Sequence, residues 1–401
     1  MRIAFSSQPV YSHLVPALLP LAGLTAEAGN EVGVLTSPDL AGEVRAFGLD
    51  PLELPNATGP RDVLQRPELA ERLGVDISAM AELGSRTVRP SPDHFARVFA
   101  GPLAGDTAEE SIEALRSFGP DLLVREVADY PGYYAAEHLG VPQAVLDTGP
   151  LAPHDHEDVL ARINEQRDRL GLAAVSDPLH PLRGGRLGMV PESFYPEHLR
   201  LDSAVHHRPP RAAEQRLDPA IAGLPGDRPL VLATLGSNAA ALHGRGTRTL
   251  LDTIVEVLGD LRVTGVVALG RGIEPDEWRG ARPDNVHLTS FVQQQLLLPA
   301  CDAFITHGGF SGVREAMSSG VPMVVVPMFA EQPTNADRVE QLGVGKRIDV
   351  EDVSHDSLRT TVGTVLADSA HRHRARAVER EFLALPPFHE MVAELERLGG
   401  R

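Results

Sequence analysis

From Asn285 to Asn335 the chain reads Asn285-Val-His-Leu-Thr-Ser-Phe291-Val-Gln-Gln294-Gln, then Cys301-Asp-Ala-Phe-Ile-Thr-His307-Gly308-Gly309-Phe310-Ser311-Gly312-Val-Arg-Glu315-Ala. It closes Gly320-Val-Pro-Met-Val-Val-Val-Pro-Met-Phe-Ala-Glu331-Gln332-Pro333-Thr-Asn335. Three apolar runs, 286–288, 303–306 and 323–326, each end in a polar turn marked by glycine or proline and followed by a helical pattern. Strands alternating with helices predict a parallel sheet covered on both faces. In such open sheets ligands bind beyond the carboxyl ends of the strands.

The same rhythm extends in both directions. Upstream, strands are predicted at 230–235 and 263–269; downstream, 355–398 is helical. A separate series occupies the N-terminal half, with strands at 3–7, 31–36, 121–125 and 143–147. Its first helix is predicted to start near Pro16, because proline suits a first helical turn. Irregular, charged stretches at 52–119 and 150–188 have the character of insertions that shape a pocket. The fold class is therefore α/β, two Rossmann-like domains with parallel sheets facing across a cleft. The predicted boundaries are 1–205 for the N-terminal domain and 206–228 for a linker rich in Arg, Pro and Asp. The C-terminal domain takes 229–401, its last helix able to pack back on the N-terminal domain.

Composition narrows the classes. A chain of 401 residues is too long for one core and fits two domains. A net charge of −18 argues against an electrostatic hold on nucleic acid or an anionic membrane. Cys301 stands alone, which excludes a disulfide framework and a cysteine metal cluster. No run approaches membrane-spanning length and no clean signal-peptide core opens the chain, so the expected location is the cytoplasm. No Gly-x-Gly-x-x-Gly follows the first strand, which disfavours a dehydrogenase.

The turn residues carry chemistry. Gly308, Gly309 and Gly312 surround Ser311 where a strand meets a helix; glycine permits close backbone approach, and a helix start offers unpaired N–H groups with partial positive charge. A diphosphate fits there, with His307 placed to donate to a phosphate oxygen, although a packed histidine beside a tight turn is the plain alternative. Glu315, one turn into that helix, suits the hydroxyls of a ribose or simply favours the first helical turn. Phe291 and Gln294 suit stacking on a base and reading its edge. Glu331 and Gln332 suit the vicinal hydroxyls of a hexose, with helix capping as the competing role.

Taken in order, Phe291, Gln294, His307 to Glu315, and Glu331-Gln332 resemble the donor-binding signature of the nucleotide-sugar-dependent glycosyltransferases that act on small molecules. That family has the two-domain GT-B arrangement. Thr234-Leu235-Gly236-Ser237 extends the likeness to the opening of the second domain and adds Ser237 to the donor residues. In the N-terminal half, Ser12-His13-Leu14-Val15-Pro16 matches the family's Gly-His-x-x-Pro loop. The resemblance implies that His13 is the general base, supported by Glu126 where the family often has Asp, with Asp129 a nearby alternative. Imidazole titrates near neutrality, as the role demands.

The resemblance thus implies an inverting, metal-independent glycosyltransferase of natural-product or antibiotic biosynthesis. It would need no cofactor beyond a nucleotide-diphosphate sugar as co-substrate, and would transfer a hexose to a hydroxyl of a small apolar acceptor. Thr306-His307-Gly308-Gly309 with a retained Glu315 favours a UDP-sugar, UDP-glucose above others, since uridine carries a 2′-hydroxyl and thymidine does not. The alternatives are a TDP-deoxysugar donor and, in another class, a non-catalytic sugar-nucleotide-binding subunit. A nucleotide-sugar epimerase or hydrolase is a weaker rival. Acceptor identity cannot be read, and oligomeric state is open, a homodimer included.

Overall fold

The computed structural model describes residues 1–78, 85–210, 216–236, 245–270 and 273–400. The chain divides into two compact units: Met1–Ile77, Pro90–Pro210 and Leu385–Arg401 form the first, Ser78–Arg89 and Arg211–Ala384 the second.

The first unit is built on strands β1 (Arg2–Ser6), β2 (Glu31–Thr36), β3 (Asp50–Glu53), β4 (Leu122–Glu126), β5 (Gln143–Leu146), β6 (Arg186–Gly188) and β7 (Ala204–His206). They form one parallel sheet in the order β3-β2-β1-β4-β5-β6-β7. Ile3, Phe5, Leu122, Val124, Ala144 and Leu146 pack into one core with Leu18 and Leu21 of the following helix. Met391, Val392 and Leu395 of the last helix, Met391–Leu398, complete that core, which is why this helix groups with the first unit. Sheet strands buried on both faces need near-continuous apolar sequence, and β4 and β5 are buried along their whole length.

The second unit carries β8 (Leu230–Thr234), β9 (Thr264–Ala268), β10 (Val286–Thr289), β11 (Ala303–Thr306), β12 (Met323–Val325) and β13 (Gly345–Arg347). All pair in parallel, in the order β10-β9-β8-β11-β12-β13. In both sheets the chain steps outward to one side of its first strand and then returns to the other. That reversal puts a topological switch point between β1 and β4 and another between β8 and β11, where the helices on either side diverge and leave the strand ends open.

Local structure departs from the sequence expectation at four places. The first helix begins at Tyr11, not near Pro16, and Pro16 sits inside a wide π-helical turn, Leu14–Leu18. Such a turn spares the ring the clash it would meet in a regular helix. β4 runs one residue further than expected and includes Glu126. β7 occupies 204–206, so ordered pairing with β6 continues to the edge of the expected linker. Strand β3, with Pro51, and strand β13, with Lys346, are outer strands whose polar or proline-bearing sequence masks them.

Candidate functional site

The first cluster lies at the switch point of the first sheet. Following β1, the short helix Tyr11–His13 presents His13, whose Nδ1 stands 3.3 Å from Oε1 of Glu126 at the end of β4. Glu126 is fully buried. Its Oε2 accepts from the Ala128 N–H at 2.8 Å and from the Thr148 hydroxyl at 2.9 Å, and its Oε1 from the Gln8 N–H at 3.4 Å. Burial alone would raise this carboxyl, but the His13 charge and hydrogen bond, the Ala128 amide and the Thr148 hydroxyl outweigh it and hold it at about 2. A carboxylate so held is ionised at any working pH, and it faces imidazole.

Asp129, the other acid considered, is turned elsewhere. It caps the helix Tyr130–Leu139, its Oδ1 accepting from the Gly132 N–H at 3.2 Å. Burial raises it to about 6, against the opposing effect of the Ser6 hydroxyl. The residue at the histidine is therefore Glu126, and the extra methylene relative to aspartate is accommodated. Arg125 locks the turn from behind: its Nε donates to Gln143 Oε1 at 2.8 Å, and its guanidinium lies 5.5 Å from the Tyr133 ring centre.

The second cluster lies at the switch point of the second sheet. Thr234 ends β8 and Thr306 ends β11, and the two pair in register. Gly236, with φ +83°, follows β8; a Cβ there would fall 2.4 Å from His307 Cε1. His307 is thus packed against backbone, and burial pushes its imidazole down to about 4, so the ring is neutral at pH 7. Gly308, φ +84°, turns the chain so that Gly309 caps the helix Phe310–Ser318 with no side-chain bond of its own. The first turn of this helix, with Ser311 and Gly312, contains no acidic residue, and a helix start carries the partial positive charge that suits an anion.

Glu315 is brought against the preceding strand-end loop. Its Oε2 accepts from Gln294 Nε2 at 2.6 Å and its Oε1 from Gln295 Nε2 at 2.9 Å, so two amides from the helix Gln294–Leu297 grip one carboxylate. Each oxygen keeps a further lone pair for a hydroxyl. Phe291, in the turn between, is half exposed, with its backbone tied to the Thr289 hydroxyl.

The third loop, after β12, carries Glu331 and Gln332 at the start of the helix Gln332–Gln341. Gln332 is buried, and its Oε1 accepts from the Met328 N–H at 2.9 Å and the Phe329 N–H at 3.2 Å. Its carbonyl oxygen therefore shapes the loop, and what it can offer a ligand is the Nε2 donor. Ser237, also expected at the donor site, lies outside the described residues.

Three residues of these clusters escaped the sequence reading. Thr148 follows β5 and reaches Glu126, and Gln295 shares Glu315 with Gln294. Asn335, fully buried, donates from Nδ2 to the Gly308 carbonyl at 2.9 Å, bracing the glycine turn from the next helix. The run Gln293-Gln294-Gln295 signalled amides at this position, but which of them would face Glu315 depends on how the helix starts.

Residues 249–398 match the family described as erythromycin biosynthesis protein CIII-like, C-terminal domain. Tylactone mycaminosyltransferase of Streptomyces fradiae is 30% identical over 95% of this chain and 89% of its own length. Aclacinomycin-T 2-deoxy-L-fucose transferase of Streptomyces galilaeus is 28% identical over 99% of this chain and 96% of its own. Among solved structures, the glycosyltransferase of kitacinnamycin superposes with a TM-score of 0.74 at 25% identity, covering 99% of this chain and 98% of that one.

Proposed function

This chain belongs to the antibiotic-type glycosyltransferase family and is a glycosyltransferase of GT-B fold, and on that premise we propose that it transfers a hexose from a UDP-sugar to a hydroxyl of a small apolar natural product, with inversion and without a metal ion. The observation that carries the donor assignment is the grip of Gln294 and Gln295 on Glu315. It holds a carboxylate one turn inside an anion-binding helix, where only a partner that donates hydroxyl protons compensates for the repulsion of a diphosphate. A ribose with both 2′- and 3′-hydroxyls is such a partner.

In this reading the diphosphate rests on the amides that open the helix Phe310–Ser318, with neutral His307 as a further donor. Phe291 stacks on the base, and Glu331 with the Gln332 Nε2 receives the hexose hydroxyls. These donors are in place before charge develops on the leaving diphosphate, which is the form of stabilisation that contributes most, and they supply it without a bound cation. No cofactor enters beyond the nucleotide sugar.

On the first unit, the bond from His13 Nδ1 to Glu126 directs proton uptake to Nε2. The acceptor hydroxyl gives its proton to His13 as its oxygen bonds to the anomeric carbon. The bond from that carbon to the diphosphate oxygen breaks on the opposite face, and UDP leaves with the electron pair. Glu126 balances the imidazolium that forms.

A TDP-deoxysugar donor is the second reading, favoured by the name of the Streptomyces galilaeus relative, which transfers 2-deoxy-L-fucose. Calorimetric binding of UDP and TDP to the wild type and to Glu315→Ala separates the two. Tighter UDP binding that falls to the TDP value in the variant supports the uridine assignment. Equal or tighter TDP binding by the wild type transfers the assignment to deoxysugar donors.

A further inference from the structure

The segment Ser78–Arg89 leaves the first unit's run of chain between the helices Pro67–Leu73 and Pro92–Phe95 and belongs to the second unit. Its described end fastens onto the loop that follows β12. The Thr87 hydroxyl donates to the Pro327 carbonyl at 2.7 Å, and the Val88 N–H donates to the Met328 carbonyl at 2.7 Å. Beyond the loop, the Thr87 N–H donates to Glu351 Oε2 at 2.7 Å, and the Val350 N–H donates to the Thr87 hydroxyl at 3.0 Å. Arg89 pairs with Asp337 at 2.7 Å and donates to the Thr334 hydroxyl at 3.3 Å, both on the helix that Glu331 caps.

The loop so fastened is strained. Ala330, φ +54°, is the one non-glycine residue with positive φ among the described residues, and it immediately precedes Glu331. A side-chain-bearing residue holds that conformation only where its surroundings over-determine it. From inside, Gln332 Oε1 binds the amides of Met328 and Phe329; from outside, Thr87 and Val88 bind the carbonyls of Pro327 and Met328. The two sets act on the same peptide groups from opposite sides.

We propose that Thr87, Val88 and Arg89 form a positioning strap that holds the strained loop 327–332 so that Glu331 and Gln332 meet the donor's sugar ring. The proposal rests on the assignment of Glu331 and Gln332 to the hexose. The strap's hydrogen bonds and ion pair described above go to Pro327, Met328, Thr334, Asp337, Val350 and Glu351, and none to the helix Phe310–Ser318 or to Glu315, so it sets the affinity for the sugar and not for the nucleotide. A segment that the chain order places within the acceptor-half insertions thereby tunes which sugars the donor site accepts.

The test measures calorimetric affinities for UDP and for UDP-glucose, and for TDP and TDP-glucose, with the full-length protein. The variants are the double substitution Thr87→Val with Arg89→Ala, and Glu331→Ala alone. Thr87→Val keeps the side-chain shape and removes the hydroxyl, and Arg89 is exposed, so neither change threatens the core. The strap predicts that the double variant binds each free diphosphate within about twofold of wild type but its nucleotide sugar about tenfold more weakly, the loss of roughly one net hydrogen bond's contribution at the loop. Glu331→Ala is expected to show the same split. An equal loss for diphosphate and nucleotide sugar in the double variant marks general loosening and overturns the proposal. So does an unchanged nucleotide-sugar affinity in the double variant when Glu331→Ala weakens it. If Glu331→Ala leaves the nucleotide sugar unaffected, the assignment of the sugar site fails, and the strap's role with it.

Discussion

The imidazole Nδ1 of His13 and the Oε1 of Glu126, 113 residues apart in sequence, lie 3.3 Å apart at the point where the first sheet reverses direction. Glu126 is charged in spite of full burial, because four donors converge on it: His13, the Ala128 and Gln8 amides, and the Thr148 hydroxyl. The pair orients the ring and balances its positive charge. Glu126→Gln keeps the shape and removes that charge, and is expected to lower kcat/KM on the order of 10²-fold or more with little change in nucleotide affinity. Glu126→Asp, which retains the charge at a longer reach, should recover part of the loss. Initial rates at saturating donor compare the three; equal rates for wild type and Glu126→Gln would remove the carboxylate from the mechanism.

Asn335 joins two strand-end loops through its bond to the Gly308 carbonyl. Asn335→Ala removes a buried donor and leaves that carbonyl without it, at a cost of about 1–3 kcal/mol. The urea midpoint should drop accordingly, and nucleotide diphosphate should bind more weakly because the glycine turn that opens the helix loses its brace. Unchanged affinity in a destabilised variant would confine Asn335 to the fold.

Gly236 has two reasons to be glycine: its positive φ, and a Cβ position 2.4 Å from His307 Cε1. Gly236→Ala must move the His307 ring or the backbone, with strain on the order of 1–3 kcal/mol. The expected result is a lower melting temperature together with at least about tenfold weaker diphosphate binding, since displacement of His307 and loss of its donor go together. Wild-type affinity in this variant would show that His307 does not meet the phosphates.

Stability should vary with pH in a way set by the buried groups. His307 at about 4 and His154 at about 3 lie below the ordinary 6.5 because burial disfavours the imidazolium. The unfolded chain takes up these protons first, so stability falls as the pH drops from about 6.5 toward those values. Glu126, held at about 2 against an ordinary 4.5, contributes stability above 4.5 that is lost as the pH falls through about 2. Asp129 works in the opposite sense. Raised by burial to about 6 from 3.8, it is protonated first in the folded state, so its charged form weakens the protein above about pH 6. Asp129→Asn should therefore compare more favourably with wild type at pH 8 than at pH 5 in urea midpoints. A difference independent of pH would contradict the assignment.

Most of the interior strands could be anticipated because interior parallel strands are near-continuous apolar runs, as in residues 122–124 and 303–305. The strands that escaped lie toward the sheet edges or are short and polar. β13 reads Gly345-Lys346-Arg347, and β6 holds Arg186, buried only because it pairs with Asp147 at 2.7 Å. A salt bridge from a strand to the residue just past the end of its neighbour leaves no periodic mark in either. The donor loops were legible as strand-to-helix turns, since glycine and proline announce them. The partners of the chemical groups were not: the bonds of Thr148 to Glu126 and of Gln295 to Glu315 depend on register and on the angle at which a helix starts. The π-helical turn around Pro16 was hidden for the same reason, because proline in the second turn of a helix normally signals a boundary.

The most direct test of the account is sugar transfer by His13→Ala, run beside calorimetric titration of UDP and TDP on the same preparation. His13 belongs to the first unit, and the helix Phe310–Ser318, proposed to hold the diphosphate, to the second. The account predicts that transfer falls about 10²–10⁴-fold, the usual contribution of a general base, while diphosphate affinity stays at the wild-type value. Transfer within a few-fold of wild type at unchanged affinity would show that His13 does not take the acceptor's proton, and the mechanism would have to be sought elsewhere in the chain.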